Sequence, residues 1–155
     1  MDVVLMASPL GDLRLTTLDG YLTAVDILVP SGGHGPASSA IGLLAHQELA
    51  AYFENAAHRF QIPLQLMGTA FQKEVWRALQ GIPPGQVATY GELARRLNTS
   101  ARAVGNACRR NPCPIVVPCH RVVSAQGLGG YDGQTDGPLL ERKRWLLRHE
   151  GAIGG

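Results

Sequence analysis

The sequence predicts an α+β protein in two lobes. Residues 1–68 read as a small N-terminal antiparallel-sheet α/β lobe, and residues 69–155 as a mostly helical C-terminal lobe with a helix-turn-helix. Three observations lead there. The first third of the chain alternates β-prone runs with turn residues. The second half holds short helical segments opened by capping patterns. The charge is also divided: residues 1–68 carry two arginines against six acidic side chains, a net −4, whereas residues 69–155 carry twelve Lys and Arg against six acids, a net +6. The basic half is where an anionic partner would sit.

Composition narrows the class. Hydrophobic residues make up 45% and charged residues 17%, which fits a folded globular chain rather than a disordered one. No apolar run approaches the roughly 18–20 residues of a membrane span, and no basic-then-apolar secretory signal opens the chain. The expectation is a soluble cytoplasmic protein. The three cysteines, Cys108, Cys113 and Cys119, are odd in number and crowded together, a poor disulfide framework that fits a reducing compartment.

In chain order, residues 3–29 read as a meander of about three strands, with turns at Pro9–Gly11 and Asp19–Gly20. Residues 30–39 are rich in Gly, Pro and Ser and read as a surface loop. Residues 45–55 place Ala45, Leu49, Tyr52 and Phe53 at helical spacing. Residues 60–66 read as a further strand, and Met67–Gly68 as the lobe boundary. Thr69 with Gln72 forms a capping box that opens a helix through Gln80, its apolar face formed by Phe71, Val75, Ala78 and Leu79. Residues 81–87 are a loop. Thr89 with Glu92 opens a second helix to about Leu97, and Ser100 caps a third over 101–110, stopped by Asn111-Pro112. Two short helices joined by about three residues make a helix-turn-helix candidate.

At 100° per residue, Ala101, Val104 and Cys108 share one side of that last helix and are expected inside. Arg102, Asn106, Arg109 and Arg110 share the other side, beside small Ala103 and Ala107. This face is either an ordinary solvated one or a surface that approaches a phosphate backbone closely.

The chemistry gathers near residue 119. Cys119 follows Pro118, which breaks strand pairing, and precedes His120 and Arg121. A thiol becomes a nucleophile when neighbours stabilise its thiolate, and a histidine that takes its proton needs a third group to orient it. The helix at 139–150 offers Glu150 on the same side as Leu139, Leu140, Leu146 and Leu147. A carboxylate aimed inward there requires a buried partner, and His120 fits. The competing reading is a buried, unreactive thiol. The glycine-rich stretch 127–133 places Tyr131 either as a ring wall or in a simple hairpin turn. Spacing and intervening prolines do not match a metal site built from Cys108, Cys113, Cys119 and His120, so no metal is expected.

The stretches "GQVATYGELA", "RAVGNACRRNPCPI", "PCHRVV", "GGYDG" and "RKRWLLRHEG", in that order over residues 69–151, closely resemble the O6-alkylguanine-DNA alkyltransferases. "SPLGDL" and "ELAAYF" match the first lobe more loosely. The resemblance implies a winged-helix-like second lobe, a ribonuclease-H-like first lobe, and stoichiometric direct-reversal DNA repair. An alkyl group on O6 of guanine, or less efficiently O4 of thymine, would pass to Cys119 and spend the protein. It implies His120 as the residue that deprotonates Cys119 through a water, Glu150 as its orienting carboxylate, and Asn111 as a brace of the active-site turn. Tyr90 would hydrogen-bond, or give a proton to, the guanine ring nitrogen, and Arg102 would fill the gap left by the flipped base. Pro114, Cys108, Val122 and Tyr131 would line the base pocket, with Ala103, Ala107, Arg109 and Arg110 on the DNA-binding face.

The partner implied is double-stranded DNA carrying alkylated bases, bound in the minor groove, with no cofactor. The protein would act as a monomer, with clustering along DNA left open. The sequence departs from the family pattern at Asp132, where relatives commonly have a small residue, and in a longer loop at 132–138. With no cysteine in the first lobe, the zinc that some members carry there is not expected. Two other classes compete: an alkylated-base sensor that flips lesions without transfer, against which Cys119 argues, and a cysteine hydrolase, which would not need the helix-turn-helix or Arg102.

Overall fold

The computed structural model describes residues 2–28, 39–125 and 138–153. The loop expected at 30–39, apart from Ser39, lies outside these residues, as do Tyr131, Asp132 and the whole glycine-rich stretch. Packing divides the chain into two units, Met1–Met67 and Gly68–Gly155.

In the first unit β1 (Asp2–Met6), β2 (Asp12–Leu18) and β3 (Tyr21–Leu28) form an antiparallel sheet in that order. Asp19 and Gly20 both have positive φ, 52° and 85°, the geometry of the two-residue turn that matches strand twist. That turn pairs Leu18 with Tyr21 and so sets the hairpin register. Alternation then buries Leu13 and Leu15 on one face, and α1 (Ala40–Glu54), with Ala45, Leu49 and Tyr52 buried, packs against β2. The helix starts five residues before the apolar spacing indicated, because the Ser39 hydroxyl accepts the Gly42 N–H and Ile41 is buried.

Residues 60–66 form no strand. Only Leu64 bridges the sheet, through Leu22 N–H to Pro63 O at 2.9 Å and Gln65 N–H to Leu22 O at 3.1 Å. Pro63 has no N–H to extend the ladder.

In the second unit α2 (Ala70–Gln80) opens on the expected capping box, with both arms formed. A two-residue β4 (Ala88–Thr89) leads into α3 (Tyr90–Arg96), capped by Thr89, and Ser100 caps α4 (Ala101–Arg109). Asn98, with φ 57°, makes the reversal between α3 and α4, the helix-turn-helix. A 3₁₀ turn (Cys119–Arg121) runs into β5 (Val122–Val123), which pairs in parallel with β4, and α5 (Pro138–His149) closes the described chain. Among the described residues no helix is long and apolar enough to cross a membrane.

Helix faces differ from the expected ones in two places. On α4 the buried residues are Val104 and Ala107, while Ala101 is exposed and Cys108 half-buried. Ala107, expected on the outer face, is 2% exposed. The reason is Trp76 of α2, which is fully packed and donates its indole N–H to Ala107 O at 2.9 Å, turning that edge of α4 inward. Trp76 thus occupies the core position on α2, and Phe71 and Ala78 are only half-buried.

Candidate active site

Asn111-Pro112 ends α4 and begins a tight turn. The Asn111 side chain accepts the Cys113 N–H at 2.9 Å and donates to Val117 O at 2.8 Å. Val117 N–H returns to Cys113 O at 2.9 Å. Inside this loop Ile115 is held at φ 77°, a conformation that a β-branched residue resists. Pro118, at φ −83° and ψ 66°, forms an inverse γ-turn that brings the Cys119 N–H to Val117 O at 2.8 Å. The strand-breaking proline therefore places Cys119 at the start of the 3₁₀ turn, where 9% of its surface remains exposed.

Next in the turn is His120, fully buried, with Nε2 2.8 Å from Glu150 Oε2. Glu150 is held in place by its own helix end. Gly151 adopts φ 76°, its N–H bonds Arg148 O, and Ala152 N–H bonds Leu147 O at 2.9 Å, a Schellman cap that leaves Glu150 at the C-cap position. The expected inward carboxylate and its histidine are thus together, with no solvent exposure on either side chain.

Sequence reasoning missed two participants. Arg121, 5% exposed, grips Glu150 with Nε to Oε1 at 2.9 Å and Nη2 to Oε2 at 2.8 Å, and donates Nη1 to Ile82 O at 2.7 Å. Lys143 of α5 is buried, donates to Val122 O at 2.7 Å, and lies 5.8 Å from the Tyr90 ring centre. A signal for Lys143 was present: it falls three and four residues from Leu140 and Leu147, on the apolar stripe. Nothing in the sequence distinguished Arg121 from an exposed basic residue.

Electrostatics follow burial. Burial pulls His120 below its ordinary value of 6.5; the Glu150 bond opposes this, while Arg121 and Lys143 add to it. Burial pushes Cys108 up to about 12, helped by the charge of Cys119, so Cys108 is a neutral wall at pH 7. Burial also raises Tyr90 above its ordinary range, keeping its hydroxyl protonated as a donor. Lys143 is pushed down to about 8, again by burial.

Among the other anticipated residues, Pro114 is half-buried in the turn and bridges Val117, and Val122 is buried in β5 beside Ala88. Arg102 is exposed in the first turn of α4. Ala103, Asn106, Ala107, Arg109 and Arg110 line a groove of about 770 Å³ with the opening residues of α2.

The family model described as 6-O-methylguanine DNA methyltransferase, DNA binding domain, matches residues 70–152. The chain is 42% identical over 150 residues to a methylated-DNA--protein-cysteine methyltransferase of Mycolicibacterium paratuberculosis, covering 92% of this chain and 88% of that one. A protein of the same name from Methanosarcina acetivorans is 45% identical over 111 residues, covering 70% of this chain and 68% of its own. Among solved structures, O6-methylguanine methyltransferase of Mycobacterium tuberculosis superposes with a TM-score of 0.83 at 36% identity, covering 100% of this chain and 96% of that one. Mycobacterium tuberculosis OGT in complex with DNA gives 0.79 at 39% identity, covering 96% and 91%.

Proposed function

Since the chain belongs to the O6-methylguanine-DNA methyltransferase family, we propose that it repairs O6-alkylguanine in DNA by moving the alkyl group to Cys119 in a single turnover. The observation that carries the reading is the buried His120–Glu150 pair at 2.8 Å directly following Cys119. A base inside a duplex cannot reach a cysteine with so little exposure, so the nucleotide must leave the stack. Arg102, at the start of α4, fills the vacated space, and half-buried Ala103 lets the helix approach the minor groove. Arg109 and Arg110 contact phosphates without reading sequence, as a lesion search requires. Ala107 contributes by leaving the groove unfilled, not by touching DNA from the outer face.

The chemistry is a displacement at carbon. The Cys119 proton passes through a water to His120, and Glu150 orients the imidazole and steadies the cation that forms. The sulfur attacks the alkyl carbon, an S–C bond forms, and the C–O6 bond breaks with its electron pair going to the guanine. The Tyr90 hydroxyl offers a hydrogen to the ring nitrogen as negative charge develops there, and proton exchange with solvent returns neutral guanine. The thioether has no route back, so each molecule acts once, as a monomer on double-stranded DNA and without a cofactor. O4-alkylthymine is the secondary substrate.

Intact-protein and peptide mass spectrometry after mixing with a duplex holding one O6-methylguanine tests this. The expected result is one methyl group on the Cys119 peptide, absent in Cys119→Ala. Tight binding with no mass change would instead make the protein a lesion sensor. Neither binding nor transfer would overturn the repair reading.

A further inference from the structure

Arg121 is the residue of the site to which neither the sequence pattern nor the transfer chemistry gives a task. It follows the reactive Cys119–His120 pair and is almost completely buried, which an arginine tolerates only when its donors are satisfied. Its fork takes both oxygens of Glu150, at 2.9 and 2.8 Å, and its remaining arm reaches Ile82 O at 2.7 Å in the loop after α2. His120 thus receives a carboxylate oxygen that it must share with Nη2, since both atoms lie 2.8 Å from Oε2.

We propose that Arg121 is a positioning residue for alkyl transfer: by clamping Glu150 it fixes His120 as a neutral imidazole with its hydrogen on Nε2 and its lone pair on Nδ1. The inference rests on the alkyl-transfer reading and adds a control on its base. Bonded to a guanidinium, Glu150 is an anion that can only accept hydrogen bonds, so the hydrogen between it and His120 belongs to Nε2. The Nδ1 atom is then the base. It is buried and has no hydrogen-bond partner among the described residues, the state expected of an acceptor awaiting the Cys119 proton. Charge points the same way. The Glu150–Arg121 pair is neutral as a unit, so a protonated His120 would add a buried cation with Lys143 nearby. Without the guanidinium, Glu150 would answer His120 alone and favour its protonation. The other element packed against this turn, α2, keeps Lys73, Glu74 and Arg77 exposed, leaving the nearby Glu150, Arg121, Lys143, Cys119, Cys108 and Tyr90 to set the balance.

The test compares single-turnover methyl transfer by the wild type, Arg121→Lys and Arg121→Met across a pH series. Arg121→Met should move the acidic limb of the rate profile upward by about one pH unit or more. Arg121→Lys, which keeps a cation but loses the fork, should fall between. A rate that drops equally at every pH, or a limb that stays put or moves down, overturns the inference and leaves Arg121 a structural tie. If Arg121→Met does not fold, an NMR titration of the His120 imidazole in wild type and Arg121→Lys decides. Titration at higher pH in the variant, with Nε2-protonated imidazole in the wild type, supports the proposal, and an unmoved titration refutes it. Failure of the wild type to take up a methyl group would instead count against the alkyl-transfer reading, and the His120 titration would still judge the clamp.

Discussion

The side-chain amide of Asn111 and the backbone N–H of Cys119 share one acceptor, the carbonyl of Val117, each at 2.8 Å. The exit of α4 and the amide of Cys119 are therefore tied to the same oxygen. The tie also holds Ile115 in its unfavourable φ, which costs on the order of 1–3 kcal/mol wherever such a residue occurs.

Replacing Asn111 with Ala should release that strain at the expense of the site. It removes both side-chain bonds and leaves the N–H of buried Cys113 without its acceptor, a loss of about 1–3 kcal/mol. Thermal unfolding should show the lower midpoint. Single-turnover transfer should slow as well; an unchanged rate would separate the brace from the chemistry.

Alkylation itself should loosen the same tie. Cys119 is 9% exposed, so an added alkyl carbon must be accommodated within close-packed surroundings. The strain passes through Val117 to Asn111 and α4. Methylated protein should be cleaved faster by a protease in residues 101–117 and should melt earlier than the unmodified form. Equal protection in both forms would contradict this.

Acid should destabilise the fold through His120. Burial holds its folded-state pKa below the ordinary 6.5. As pH falls below 6.5 the unfolded chain takes up a proton that the folded chain refuses, so stability present above 6.5 is lost progressively on acidification. Denaturant titrations at a series of pH values should show that slope. His120→Gln should flatten it, with a lower overall stability from the disrupted Glu150 contact.

Lys143 should carry the opposite kind of burden. Its pKa falls from 10.5 to about 8, so the folded state holds fewer protons between those values and the protein gains stability as pH rises through them. At pH 7 the ammonium is charged in both states, and burying it costs the fold. Lys143→Met should therefore remove the alkaline gain, while leaving Val122 O without its donor. Its transfer rate should fall, because the Cys119 thiolate loses a nearby cation. Chemical denaturation beside single-turnover kinetics checks both arms.

DNA affinity should depend on salt through the outer face of α4. In a Cys119→Ala background, Arg109→Ala and Arg110→Ala should each weaken binding to undamaged duplex and reduce the slope of log K against log salt by about 1. An unchanged slope would take that arginine off the phosphate backbone.

Much of this protein is legible in local chemistry. The three caps at Thr69, Thr89 and Ser100, the Asp19–Gly20 hairpin and the adjacency of Cys119 and His120 all depend on residues within a few positions of one another. Such interactions are decided by the chain nearby. The inward aim of Glu150 is legible from helical spacing for the same reason.

Long-range contacts decided the rest. Which edge of α4 turns inward depends on Trp76, 31 residues away. Residues 60–66 fail as a strand because Pro63 offers no donor where the sheet would need one. Arg121 looks like any exposed basic side chain until Glu150, 29 residues on, and Ile82, 39 residues back, converge on it. Lys143 lies visibly on an apolar stripe, yet only the fold shows that its ammonium meets Val122 O beside Tyr90. Local sequence was enough for the helix caps, the Asp19–Gly20 hairpin and the adjacency of Cys119 and His120. Tertiary structure decided the helix faces and the charged neighbours that tune the site, because a desolvated charge depends on groups brought together only by packing.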